Sequence, residues 1–98
     1  MEQVYIYEKD GEKAMKKLLE QEFFKRLGPT LRDCKIMGLQ KDGFCIYIKA
    51  SDDLVDKAEK LLEDSPAKKL EGEESHRLIQ AFRDESESAE AGMGVLFG

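Results

Sequence analysis

His76 is the one histidine of this 98-residue chain, and Cys34 and Cys45 are its two cysteines, so a Cys–His nucleophile would have to be assembled from these three residues. Such a pair needs thiol and imidazole within hydrogen-bond reach. His76 falls in the first turn of a predicted helix, and nothing in the spacing brings it to the strands that carry the cysteines. It reads as a surface residue. The cysteines have no CxxC spacing for zinc or redox work and are too few for a disulfide framework, so they are expected as reduced thiols. Asp52, Asp53 and Asp56 offer carboxylates to a divalent cation, but the ligand spacing and glycine of an EF-hand are absent. Ser51-Asp-Asp opens a predicted helix, and carboxylates near the positive end of its dipole account for the first two. Gly92 and Gly94 form a G-x-G with no helix after it, which removes the phosphate-binding geometry. No catalytic residue, metal site or cofactor is expected, and the chain reads as a non-enzymatic binding protein.

The elements that would position these groups are legible from periodicity. Gln3-Val-Tyr-Ile-Tyr-Glu8 alternates like a strand. After Asp10-Gly11, Met15, Leu18, Leu19, Phe23, Phe24 and Leu27 recur at helical spacing, and Gly28-Pro29 closes that helix. Residues 34–41 and 44–50 read as a hairpin around Asp42-Gly43, whose two residues suit a type I′ turn. That register pairs Leu39 with Ile46 and Met37 with Ile48, and keeps Cys34 away from Cys45, so a cross-strand disulfide is not expected. Ser51 is expected to cap the next helix, with Leu54, Val55, Ala58, Leu61 and Leu62 apolar along it and Ser65-Pro66 at its end. Residues 67–71 have the length of an edge strand with lysines that discourage edge pairing. A third helix starts near Glu73, with Leu78, Ile79 and Phe82 on one face, and fades near Asp84 or somewhat later. The order is β-α-β-β-α-(β)-α, an α+β chain of ferredoxin-like or split βαβ type with an antiparallel central hairpin.

In that arrangement Tyr5, Tyr7 and Tyr47 share one open sheet face, with Lys49 beside them, if Val4, Ile6, Ile46 and Ile48 face the helices. Aromatic side chains on the first and third strands resemble the base-stacking platform of RNA-recognition domains, and Lys35, Lys41 and Lys49 keep nucleic-acid contact open, so the alternative function is a nucleic-acid or small-ligand binding module using this face. Phe44-Cys-Ile-Tyr-Ile lacks the basic and glycine-rich signature of that family. The competing reading packs the tyrosines at a homodimer interface or beneath the C-terminal helix.

Charge separates the chain into two parts. Residues 1–70 carry 14 basic and 14 acidic side chains, whereas residues 71–98 carry two arginines against seven acids, which is the whole net charge of −5. An acidic end disfavours phosphate contacts and favours a basic protein partner. No apolar run approaches the roughly 20 residues of a membrane span, and no signal pattern opens the chain, so a cytoplasmic protein is expected. The charged fraction of 38%, rich in Lys and Glu, leans towards a thermophile.

The division therefore falls into one α+β domain over residues 1–84 and an acidic, flexible tail over residues 85–98. The tail ends in Ala91-Gly-Met-Gly-Val-Leu-Phe-Gly98, four large apolar residues on a free end. An acidic run followed by Ala-Gly-x-Gly-x-Leu-Phe-Gly resembles the C-terminal tail of archaeal ribosomal stalk proteins. The resemblance covers about a tenth of the chain. It implies an archaeal protein whose Met93, Leu96 and Phe97, with Val95 between them and Gly92, Gly94 and Gly98 completing the match, bind a groove of a translation factor. The long hinge and helical dimerisation domain of stalk proteins are missing, so the expectation is an adaptor that shares their tail.

Overall fold

A computed structural model describes the backbone of residues 1–97 and the side chains of residues 1–85. The element order is β1 (Glu2–Glu8), a 3₁₀ turn (Lys9–Gly11), α1 (Glu12–Leu19), α2 (Glu22–Leu27), β2 (Thr30–Asp33), β3 (Gly43–Lys49), α3 (Asp52–Glu63), β4 (Lys68–Lys69) and α4 (Gly72–Phe97). The four strands form one antiparallel sheet in the order β2-β3-β1-β4. This is the ferredoxin-like topology expected from the sequence, with α4 added. The third helix, expected to fade near Asp84 or later, ends later, at Phe97.

The central hairpin is not the one read from the sequence. The partner of β3 is Thr30–Asp33, with Leu31 opposite Ile46 and Arg32 opposite Cys45. Residues 34–42 instead form a compact connection, held by Leu39 N–H donating to Cys34 O (2.9 Å) and Lys35 N–H donating to the Asp33 carboxylate (2.8 Å). Met37 and Leu39 are apolar because that connection folds over the sheet towards α4. Alternation by two is also what a turn presents when it packs one side, and that misled the register. Gly43 makes no type I′ turn, since the positive φ values among the described residues fall at Gly28, Gly38 and Gly72. It lies opposite Glu8 at the start of β3, where an added Cβ would clash with the Tyr7 carbonyl oxygen.

The first long helix is broken at Glu20-Gln21, where Gln21 takes an extended conformation (ψ 145°). Met15 and Phe24 are both fully buried in the same core. Nine residues apart, they would point to opposite sides of one straight helix at about 100° per residue. The break turns both onto the sheet. Gly28, left-handed at φ 67°, then ends α2 as expected, its N–H donating to Phe24 O. Ser51 stands at the N-cap of α3, but its hydroxyl makes no capping bond; Asp52 and Asp53 follow in the first turn. Val55, Ala58 and Leu62 are buried, whereas Leu54 and Leu61 are exposed.

Two apolar layers result. Tyr5, Tyr7, Ile46 and Ile48 pack against Met15, Phe24, Val55, Ala58 and Leu62 from α1 to α3. Val4 and Cys45, with Ile6 and Tyr47 at their edge, pack against Leu78 and Phe82 of α4. Gly43→Ala is expected to cost about 1–3 kcal/mol through backbone overpacking, and Gly28→Ala about 1–2 kcal/mol through its left-handed φ. Urea unfolding of both variants checks this, and a neutral Gly43→Ala would contradict the strand contact.

Candidate functional site

The tyrosines do not share a face. The register pairs Val4 with Tyr47 and Tyr5 with Ile46, so Val4 lies on the face of Tyr47, and Tyr5 on the face of Ile46 and Ile48. The expected platform combined the two strands with one of them turned over, and a shift of one residue moves every side chain to the other face. Tyr5 and Tyr7 are buried against the helices, with relative exposures of 3% and 6%. Tyr5 O–H donates to the Gln3 side-chain oxygen at 2.5 Å, and burial pushes its phenol up to about 12. Tyr47 alone faces the other way, and Lys49 is exposed at the end of β3.

That second face is covered by α4. The Phe82 ring stacks on Tyr47, with centroids 4.9 Å apart and planes 9° from parallel. Beside the stack, the Glu2 carboxylate accepts from the Tyr47 hydroxyl and from Arg83, the latter through Nε at 3.0 Å and through a guanidinium nitrogen. Arg83 holds the Glu2 carboxyl down at about 2 against the opposing effect of burial, with Tyr47 adding to it. The Tyr47 phenol is raised to about 12, first by burial and then by the carboxylate it donates to. A second clasp joins Arg32 of β2 to Glu85 of α4, with Nε donating at 2.7 Å. Glu2, Arg32 and the two partners they find on α4 had no signal in the sequence, because they are 81 and 53 residues apart along the chain. Of this contact Phe82, grouped with Leu78 and Ile79, was visible as a helix stripe, and Tyr47 lies beneath the C-terminal helix as the competing reading had it, whereas Tyr5 and Tyr7 pack on the other face.

His76 and the α3 carboxylates stay apart from the other candidates. His76 is exposed on the outer side of α4, and Asp52, Asp53 and Asp56 are exposed on α3. Among the described residues no group of three carboxylate, thiol or imidazole side chains could hold a metal ion. Lys35 pairs with Asp42 across the connection at 2.8 Å. Cys34 and Cys45 meet, contrary to the expected register: their sulfurs are 3.5 Å apart, and both are buried free thiols. The side chains of Met93, Val95, Leu96 and Phe97, and Gly98 altogether, lie outside the described residues. No helix among the described residues is long and apolar enough to cross a membrane. Comparison with protein-family models, curated proteins and solved structures found no match.

The electrostatic clasp carries a pH dependence of definite sign. The Glu2 carboxyl lies at about 2 in the folded protein against an ordinary value of 4.5, so its contribution is complete above about pH 4.5 and fades as the pH falls towards 2. Wild type should exceed Glu2→Gln in urea midpoint at pH 7, and the gap should close over that acid range. A gap that stays constant with pH would contradict the assignment. Phe82→Ala removes the ring that covers Tyr47 and is expected to cost about 3–5 kcal/mol in the same measurement.

Proposed function

We propose that the protein is a small non-enzymatic adaptor whose folded body carries the Ala91–Gly98 segment to a protein partner, a translation factor or ribosome-associated protein of the kind bound by archaeal stalk tails. The observation that carries the reading is the Ala-Gly-x-Gly-x-Leu-Phe-Gly ending behind an acidic run. Support comes from α4. Its first half is fastened to the sheet by Leu78, Phe82, Arg83 and Glu85, and the same helix continues in sequence into the acidic and apolar residues. Met93, Leu96 and Phe97 are spaced three and four apart, the spacing of one face of a helix lying in a groove.

Magnitudes assign a share to each part. Burying three large apolar side chains gives roughly 5–8 kcal/mol gross, and ordering the segment costs roughly 2–5 kcal/mol. A micromolar complex needs about 8 kcal/mol. The difference falls to the acids between Asp84 and Glu90, which suit a basic rim on the partner, and to the body. The cover over Tyr47 removes the aromatic platform on which a nucleic-acid reading rested, so RNA contact is not needed to account for that face.

The test is titration of the full chain, and of the chain lacking residues 91–98, with a purified archaeal translation GTPase, using a synthetic stalk-tail peptide as competitor. The full chain should bind and be displaced by the peptide, and Leu96→Ala with Phe97→Ala should weaken binding by at least about a hundredfold. Deletion should abolish it. Undiminished binding after the deletion would sink the proposal, and RNA binding lost specifically in Tyr47→Ala would favour the sheet face.

A further inference from the structure

The two cysteines are buried side by side where the sheet, the 34–42 connection and α4 meet, in company with Val4, Leu78 and Phe82. Their surroundings differ. Cys45 is held in the middle of β3, hydrogen-bonded between two neighbouring strands. Cys34 is the first residue after β2, with its N–H donating to Gly43 O and its carbonyl receiving Leu39 N–H. It also lines a cleft of about 230 Å³, bounded by Tyr7, Lys41, Pro66 and Lys68, that Cys45 does not reach. Cys34 is thus the cysteine that borders the cleft, but both side chains are buried, at 1% and 0% exposure, so a reagent reaches a sulfur only when the 34–42 connection shifts. Moving from 3.5 Å to a disulfide length of about 2.05 Å takes about 1.5 Å, which the connection on the Cys34 side can supply while β3 stays in place.

We propose that Cys34 and Cys45 form a thiol–disulfide exchange site that takes a low-molecular-weight disulfide through this cleft, with Cys34 as the attacking thiol and Cys45 as the resolving one. The Cys34 thiol, after losing its proton, attacks one sulfur of the disulfide R–S–S–R. The S–S bond of the reagent breaks, the leaving thiolate takes up that proton as RSH, and a mixed disulfide remains on Cys34. Cys45 then loses its proton and attacks the Cys34 sulfur, closing the internal disulfide and releasing the second RSH. Two protein thiols are oxidised to one disulfide, and one R–S–S–R is reduced to two RSH. The division of roles agrees with the local charges. Burial raises both thiols; at Cys34 the hydrogen bond with Cys45 and, more weakly, the Lys41 charge work against that rise while the Asp33 charge adds to it, whereas Cys45 is pushed to about 12 by burial and by Cys34 itself. The site is slow by construction, because neither thiol is ionised at neutral pH, and it responds to a sustained change of thiol poise rather than to a pulse.

The full chain, reduced and then freed of reductant, is incubated in native buffer with bis(2-hydroxyethyl) disulfide and followed by intact mass and non-reducing peptide mapping. Wild type should lose the mass of two hydrogens, keep no adduct, and yield a peptide joining Cys34 to Cys45. Cys45→Ala should stop at the mixed disulfide on Cys34, and Cys34→Ala should react at Cys45 at least about tenfold more slowly than Cys45→Ala reacts at Cys34. Wild-type chains that stay reduced while urea-unfolded chains react would overturn the proposal. So would equal rates in the two single variants, or a disulfide that joins two chains. The wild-type crosslink decides the matter even if a variant folds poorly.

Discussion

Strand β1 has no side turned to water, and the rest of the structure follows from that. It is hydrogen-bonded on one edge to β3 and on the other to β4, and Val4 on one face is buried as fully as Tyr5 and Tyr7 on the other. A four-stranded sheet with helices on one face alone would leave Val4, Ile6, Cys45 and Tyr47 wet. The helix α4 covers them, and it is fastened by an aromatic stack at Tyr47 and by the Arg83–Glu2 and Arg32–Glu85 charge pairs rather than by apolar area alone. The pairs, whose arginines are both well exposed, add orientation more than energy, whereas the desolvated ring contact of Phe82 supplies the larger part of the hold.

Much of the architecture could be read from the chain because local rules and tertiary packing agree there. The alternation in β1, the Gly28 terminus, the start of α3 at Asp52 and the lysine-bearing edge at Lys68–Lys69 are each dictated within a few residues. What escaped was set by distant partners. Thr30–Asp33 is half-buried throughout and shows no alternation, so the stronger period of Cys34–Gln40 displaced it. The helix break before Glu22 answers the need to bury both Met15 and Phe24, which no short window contains.

The candidate sites follow the same division. The tail reading needs only contiguous residues, whereas the clasp joins Glu2 to Arg83 across nearly the whole chain and gave no local sign. The tyrosine platform depended on relative facing, and relative facing is what a one-residue register error reverses. The cysteine contact was hidden by that same error, since the true partner of β3 leaves Cys34 just beyond the strand end, diagonal to Cys45.

The burial of the second sheet face, with the two thiols beneath it, depends on α4 lying over the sheet. The most direct measurement is the set of nuclear Overhauser contacts between the Tyr47 and Phe82 rings in the full chain, read together with amide exchange along α4. The account predicts ring-to-ring contacts and slow exchange through Leu78 to Arg83. Absent contacts, with those amides exchanging as fast as in an unfolded peptide, would contradict it, because the face of Val4, Cys45 and Tyr47 would then be open.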